Sequence, residues 1–249
     1  MFNLSNQPII YDPAPCWILA HWRSGSYYLA SLLNTTDRFE PHFDEWLCGG
    51  YDLDEEPWKR PWPKWRRFGE SITKEQVLQT LPPYLKIHPV NYWSLFTTED
   101  KEQIEAALPG LRYIWLRRRD LMATTASFYL SRHTDHWVAY EDDEVNKHAA
   151  IQVPLIRKEL AYDYSEVIRW QTRWEDYLQG SPRLEIYYED IIDNPEKINE
   201  VLNFLGVDDE KPWWEYATKK FRHPQAKEVR ELLEDVIANG EHEKFVEMH

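Results

Sequence analysis

Trp17-Ile18-Leu19-Ala20-His21-Trp22-Arg23-Ser24-Gly25-Ser26-Tyr27-Tyr28-Leu29-Ala30-Ser31-Leu32-Leu33 is the stretch from which the rest of the chain is read. It opens as an apolar run, breaks at a polar turn with one glycine, and resumes as an amphipathic pattern. That is a strand–loop–helix unit. The N–H groups at a helix start lack intrahelical partners and sit at the positive end of the helix dipole, so such a loop is suited to an anion. Arg23 adds a permanent charge, and Ser24 and Ser26 add hydroxyl donors. The loop departs from the nucleotide-triphosphate motif G-x-x-x-x-G-K-[ST]: it has one glycine and no lysine before the hydroxyl residue. Metal-dependent phosphoryl transfer is therefore disfavoured, although the local geometry is the same.

Outward from this unit, strands and helices alternate. Arg38–Trp46 carries Glu40, Asp44 and Glu45 among aromatics and reads as a strand or extended loop. Asp52–Arg67 reads as irregular, because Pro57, Pro61 and Pro63 block a helix or a central strand. Its Trp58, Trp62 and Trp65 either pack down or stack on a sugar, with Lys59, Arg60, Lys64, Arg66 and Arg67 alongside. Thr73–Leu81 is a short helix capped by Thr73 or Ser71. Leu85-Lys86-Ile87-His88 is a strand ending in a histidine, and strand ends in open α/β sheets are where ligands bind.

Glu99–Leu108 is helical. Arg112–Leu116 is a buried strand with Arg117-Arg118-Arg119-Asp120 at its exit, and Leu121–Arg132 is the next helix, with apolar residues at three- and four-residue spacing. The three arginines are either a solvated turn or a second anion site. His133–Tyr162 reads as irregular, its acidic run Glu141–Glu144 as solvated, and His133, His136 and His148 lack metal-ligand spacing. Asp163–Leu178 is a helix starting at an Asp or Ser cap. Leu184–Tyr188 is a strand, Glu196–Leu205 a helix opened by Asn194-Pro195 and closed by Gly206, and Gln225–Ala238 the last helix. The expected fold is α/β: one domain over residues 1–249, with a mostly parallel central sheet flanked by helices.

Composition limits the function. The 249 residues include 29 basic and 43 acidic side chains, a net charge of −14. A nucleic-acid partner is not expected, since it needs a basic surface. The 13 Trp and 15 Tyr demand a heavily packed core or stacking surfaces. Cys16 and Cys48 alone give no disulfide framework, so a reducing compartment is favoured. Met1–Pro15 does not read as a signal peptide, and no apolar run approaches membrane-spanning length. The expected location is cytoplasmic.

Trp22-Arg23-Ser24-Gly25-Ser26-Tyr27-Tyr28-Leu29 resembles the 5′-phosphosulfate loop of the sulfotransferase superfamily, most closely the bacterial branch typified by trehalose sulfotransferases. Leu116–Asp120 through Ser127 resembles its 3′-phosphate site, with Arg119 followed by Ser127 eight residues later. Tyr188-Glu189-Asp190, Asn194-Pro195 and Phe204-Leu205-Gly206 are similar to a later family segment. Lys86-Ile87-His88 is similar to the strand carrying the catalytic histidine in the wider superfamily.

The resemblance implies a donor, 3′-phosphoadenosine 5′-phosphosulfate, used as a co-substrate without metal. Ser24, Gly25, Ser26, Tyr27 and Tyr28 would hold its 5′ end, and Arg119 and Ser127 its 3′-phosphate. Arg23 would stabilise charge on the leaving group. His88 would accept the proton of the attacking hydroxyl, with Lys86 assisting. In the trehalose-type branch a glutamate beyond the first helix is implicated, and Glu45 is the nearest match, then Glu40. Lys219, Lys220 and Arg222 either close over the 3′-phosphate or form a solvated turn.

The expected acceptor is a small-molecule hydroxyl compound, a carbohydrate or a lipid-linked one, met by residues 52–67 and 133–162. A homodimer is left open. Two other functions stay in play: a P-loop-like nucleotide-dependent phosphotransferase, and a non-catalytic glycan- or nucleotide-binding module on the same fold.

Overall fold

The computed structural model describes residues 11–36, 38–39, 43, 48–49, 65–67, 70–71, 73–135, 149–192, 194–207 and 223–246. In chain order the elements are β1 (Cys16–Ala20), α1 (Ser26–Leu33), β2 (Cys48–Gly49), β3 (Trp65–Arg67), β4 (Glu70–Ser71), α2 (Lys74–Gln79), β5 (Tyr84–Ile87), α3 (Pro89–Trp93), a 3₁₀ turn at Thr98–Asp100, α4 (Lys101–Ala107), β6 (Arg112–Arg117) and α5 (Leu121–Thr134). There follow α6 (Arg157–Tyr177), β7 (Arg183–Tyr187), α7 (Tyr188–Ile191), α8 (Pro195–Leu205), α9 (Ala226–Ala238) and α10 (Glu243–Val246).

Four strands form one parallel sheet in the order β5-β1-β6-β7. β1 is central and fully buried, which is what its unbroken apolar run requires of a parallel strand covered on both faces. Its side chains alternate. Cys16, Ile18 and Ala20 pack with Leu29, Leu32 and Leu33 of α1 and with Ile198, Val201 and Leu202 of α8. Trp17 and Leu19 face the opposite layer, with Tyr92 of α3, Ile104 of α4 and Trp174 and Tyr177 of α6. A third apolar cluster joins α5, α6 and α9 through Tyr129, Leu160 and Leu233.

The strand order fixes where a ligand can sit. From β1 the chain leaves towards β5 on one side. From β6 it leaves towards β7 on the other. The loops after β1 and β6 therefore diverge, opening a crevice at the carboxyl ends of these neighbouring strands. The glycine loop and the triple-arginine turn flank that crevice.

Local signals explain most boundaries. Thr73 caps α2 in a reciprocal box with Gln76. Asp120 accepts from the Ala123 N–H to cap α5. Asn194 caps α8, which Gly206 ends in a left-handed conformation. Trp17, Trp115, Trp170 and Trp174 are among the largest fully buried side chains, so much of the aromatic content is core.

Two expectations are corrected. α6 begins at Arg157, not near Asp163 or Ser165. Asp163 is not a cap: it lies inside the helix, buried, and pairs with Arg132 across the α5–α6 contact. Within 52–67, residues 65–67 are not irregular but a strand, pairing antiparallel with β2 and β4 in a small separate sheet. Residues 52–64 lie outside the described residues, as do most of 38–46. No helix among the described residues is long and apolar enough to cross a membrane.

Ile114 lies in β6 between β1 and β7 with no solvent exposure. Ile114→Ala should cost about 2–5 kcal/mol in urea unfolding, from lost burial plus the cavity left behind. A loss under about 1 kcal/mol would mean that this layer relaxes around the gap.

Candidate functional site

The loop after β1 is built from its own backbone. The Ser24 N–H donates to His21 O at 3.2 Å, and the Ser24 hydroxyl donates to the same carbonyl. This turn forces Arg23 into a left-handed conformation, φ 63°, which a non-glycine residue holds only when its surroundings pin it. Two contacts pin it. Arg23 Nε donates to Ser127 Oγ of α5 at 2.9 Å, and Arg118 Nη1 donates to Arg23 O at 3.1 Å.

Gly25 caps α1 with φ 89° and offers no side chain to its first N–H groups. A Cβ placed there would meet Tyr188 Cδ2 at 2.0 Å, so both the backbone angle and the space require glycine. Tyr188 therefore lies directly against the loop. Its other ring contacts are Tyr28, edge-on at 6.1 Å, and the Arg118 guanidinium, 4.8 Å from its centroid. Ser26 is buried at the first position of α1. Tyr27 receives the Lys86 ammonium over its ring at 3.5 Å. Lys86 is only 1% exposed, a buried cation held against an aromatic face.

Burial, reinforced by the charge of Arg118, pushes the Arg23 guanidinium down to about 10. Two cations are thus brought together beside a hydroxyl and a helix start. This arrangement suits a bound anion.

The three arginines of the turn separate by role. Arg117 turns back onto Glu185 at 2.6 Å and stacks on Trp115. Arg118 reaches the loop, with Glu189 3.6 Å from its Nε. Arg119 forms two 2.7 Å bonds to the Asp190 carboxylate, lies over Tyr187, and is 53% exposed. Arg119 and Ser127, expected as a pair, are not brought together: Ser127 bonds Arg23. Arg118, which the sequence reading did not single out, is the arginine of the turn that bonds the loop after β1. Adjacent arginines at a strand exit look alike in sequence, and only the twist of the turn separates them.

His88 sits at the end of β5, buried, beside β1. Its Nδ1 lies 3.0 Å from Ala20 O, and its ring is 6.0 Å from Trp22. A carbonyl oxygen can only accept, so Nδ1 carries the proton and Nε2 presents a lone pair in the neutral ring. Trp22 is stacked on Phe128 of α5, centroids 5.0 Å apart and planes 4° apart.

His21 also belongs to this wall and was not singled out from sequence. It is 4% exposed, with Nδ1 2.8 Å from Trp22 O. Burial pushes its imidazolium down to about 4. Its signal in sequence was its place as the first residue after the buried strand.

Glu45, Glu40, Lys219, Lys220 and Arg222 lie outside the described residues, as do residues 136–148. His133 is committed to Glu159 at 3.0 Å. Among the described residues no group of three or more His, Cys, Asp or Glu side chains is arranged to hold a metal ion.

A model of the sulfotransferase family matches residues 15–211, which include the loop, the β5 histidine, the arginine turn and the Tyr188 segment. A solved structure of a sulfotransferase from Alicyclobacillus acidocaldarius is similar at 13% identity, covering 94% of this chain and 95% of its own, with a TM-score of 0.42. A search of curated proteins gave no match. With the family matched over most of its length, the chain belongs to the sulfotransferase family.

Proposed function

We propose that the chain transfers a sulfuryl group from 3′-phosphoadenosine 5′-phosphosulfate to a hydroxyl of a small acceptor of carbohydrate type, free or lipid-linked. The observation that carries this reading is the chain of contacts beside the glycine loop in which Arg118 bonds the Arg23 carbonyl and Arg23 bonds Ser127. A donor with phosphate groups on the 3′ and 5′ positions of one ribose calls for two neighbouring anion sites. The loop and the arginine turn flank one crevice and supply them. The likeness of residues 22–29 and 116–127 to the trehalose-type branch belongs to the same reading.

In this reading Ser24, Gly25, Ser26 and Tyr27 hold the 5′ end through backbone N–H and hydroxyl groups, and Tyr28 braces Tyr188 behind the loop. Ser127 and Arg118 hold the 3′-phosphate. Arg119 joins them on releasing Asp190. As the acceptor oxygen forms its bond to sulfur, the sulfur–oxygen bond to the nucleotide phosphate breaks, and negative charge collects on the departing oxygen. Arg23, with Lys86 behind Tyr27, stabilises that charge. His88 Nε2 takes the acceptor proton, because its Nδ1–H is already committed to Ala20 O. These cations do the work of neutralisation, so the reading asks for no metal. Glu45 is the alternative base, on the resemblance to the trehalose-type branch. On the sequence reading alone, the acceptor side is assigned to residues 52–67 and 133–162.

Two measurements test the reading. Calorimetry should show 3′-phosphoadenosine 5′-phosphate binding without magnesium. Removing a charge-assisted bond costs roughly 1.5–3 kcal/mol, so Arg118→Ala should weaken that binding about 10- to 100-fold. Tight binding of magnesium–ATP with no response to the bisphosphate would favour a phosphotransferase instead. In turnover with labelled donor, His88→Ala should lower kcat by roughly 10²–10⁴. It should bring no matching loss of bisphosphate affinity. Full turnover in that variant would move the base to Glu45. Bisphosphate binding without sulfate transfer to any of a broad set of hydroxyl compounds would favour a non-catalytic module.

A further inference from the structure

His21 carries a buried acceptor that nothing in the described structure satisfies. Its Nδ1 faces the carbonyl of Trp22, and a carbonyl only accepts, so Nδ1 holds the ring proton. Nε2 of the neutral ring is then a bare lone pair. That atom is buried and has no hydrogen-bond partner among the described residues. Buried acceptors are normally paired, and an unpaired one is costly. The ring is held among aromatics, edge-on to Trp22 at 5.9 Å and to Phe128 at 6.1 Å. Its surroundings keep it uncharged at neutral pH, through burial first and the neighbouring His88 last.

A second buried imidazole stands at this wall. His88 is fixed in the same tautomer by Ala20 O, one residue before His21. Both rings neighbour the half-buried indole of Trp22, at 5.9 and 6.0 Å. Two imidazoles with the proton on Nδ1 thus stand near one aromatic side chain at the end of β1. On the functional reading above, one lone pair takes the proton of the reacting hydroxyl. The other needs a hydrogen-bond donor from the same place. Phosphate and sulfate oxygens cannot provide it, because they accept. A second hydroxyl on the acceptor can.

We propose that His21 Nε2 accepts a hydrogen bond from a second hydroxyl of the acceptor, so that the site selects polyhydroxylated acceptors, sugars or cyclitols, over simple alcohols. This inference rests on the reading of His88 as base and of the crevice as the donor site. His21 is a specificity residue: it moves no proton and forms no bond to sulfur.

The test is side-chain ¹⁵N spectroscopy on the full chain with labelled histidine. The free protein should show His21 with a protonated Nδ1 and an unprotonated Nε2. Saturation with the bisphosphate should leave the His21 Nε2 resonance in place. Adding glucose, trehalose or myo-inositol should then shift it upfield for at least one of them, and 1-propanol should not. No movement with any of the three overturns the inference. Movement with the bisphosphate alone also overturns it, in favour of a nucleotide contact.

A second readout is kinetic. His21→Phe keeps a ring in the aromatic packing and removes the lone pair. It should reduce the preference for a polyol over 1-propanol about tenfold in kcat/KM, the worth of one hydrogen bond. An equal loss on both acceptors would make His21 merely structural. Failure of the bisphosphate to bind at all would sink the donor reading, while the polyol shift of His21 would still be read.

Discussion

The constraint on which the rest depends is the meeting of two guanidinium groups, Arg23 and Arg118, at the crevice between β1 and β6. Burial first, and then the like charge of Arg118, lower the proton affinity of Arg23. The fold holds them there mainly through uncharged groups. Ser127 takes the Arg23 Nε–H. The Arg23 carbonyl accepts a hydrogen bond from Arg118 Nη1. Tyr188 supports the Arg118 guanidinium from below and fills the space over Gly25. Glu189 stands at 3.6 Å, too far for a direct hydrogen bond. Arg117 and Arg119, by contrast, each have a carboxylate at 2.6–2.7 Å. Of the three, Arg118 stands farthest from its carboxylate partner.

The sheet makes that meeting possible. Parallel strands β1 and β6 send their following loops to opposite sides, so α1 and α5 start at one crevice. Ser127 is the residue of α5 that reaches back to the loop after β1, 104 residues away in the chain. The buried faces serve this placement. Alternating side chains of β1 anchor α1 and α8 on one face and α3 and α6 on the other. The last residue of that strand and the one after it supply two carbonyls, Ala20 O and His21 O. One fixes the tautomer of His88, and the other closes the Ser24 turn.

Much of this was legible in the chain. The apolar run, the single glycine and the amphipathic continuation define the strand–loop–helix unit, because each reflects a local requirement: burial, positive φ, and one apolar helix face. The alternation of strands and helices gives the parallel sheet for the same reason. His88 was legible as the last residue of a short strand.

What was not legible depends on direction in space. Which of three consecutive arginines turns inward follows from the twist at the end of β6, with Glu185 and Asp190 drawing off two of them. The start of α6 was misjudged because Asp163 looks like a cap, while its carboxylate actually meets an arginine on α5. His21 drew no notice because an unsatisfied Nε2 appears only when the neighbouring atoms are in place.

The most direct test of the account is a crystal structure with 3′-phosphoadenosine 5′-phosphate bound. The account predicts the 5′-phosphate on the N–H groups of Ser24–Tyr27, and the 3′-phosphate between Arg118 and Ser127. His88 Nε2 would face the open side of the 5′-phosphate. A nucleotide bound elsewhere, or with its 3′-phosphate away from both Arg118 and Ser127, would contradict it.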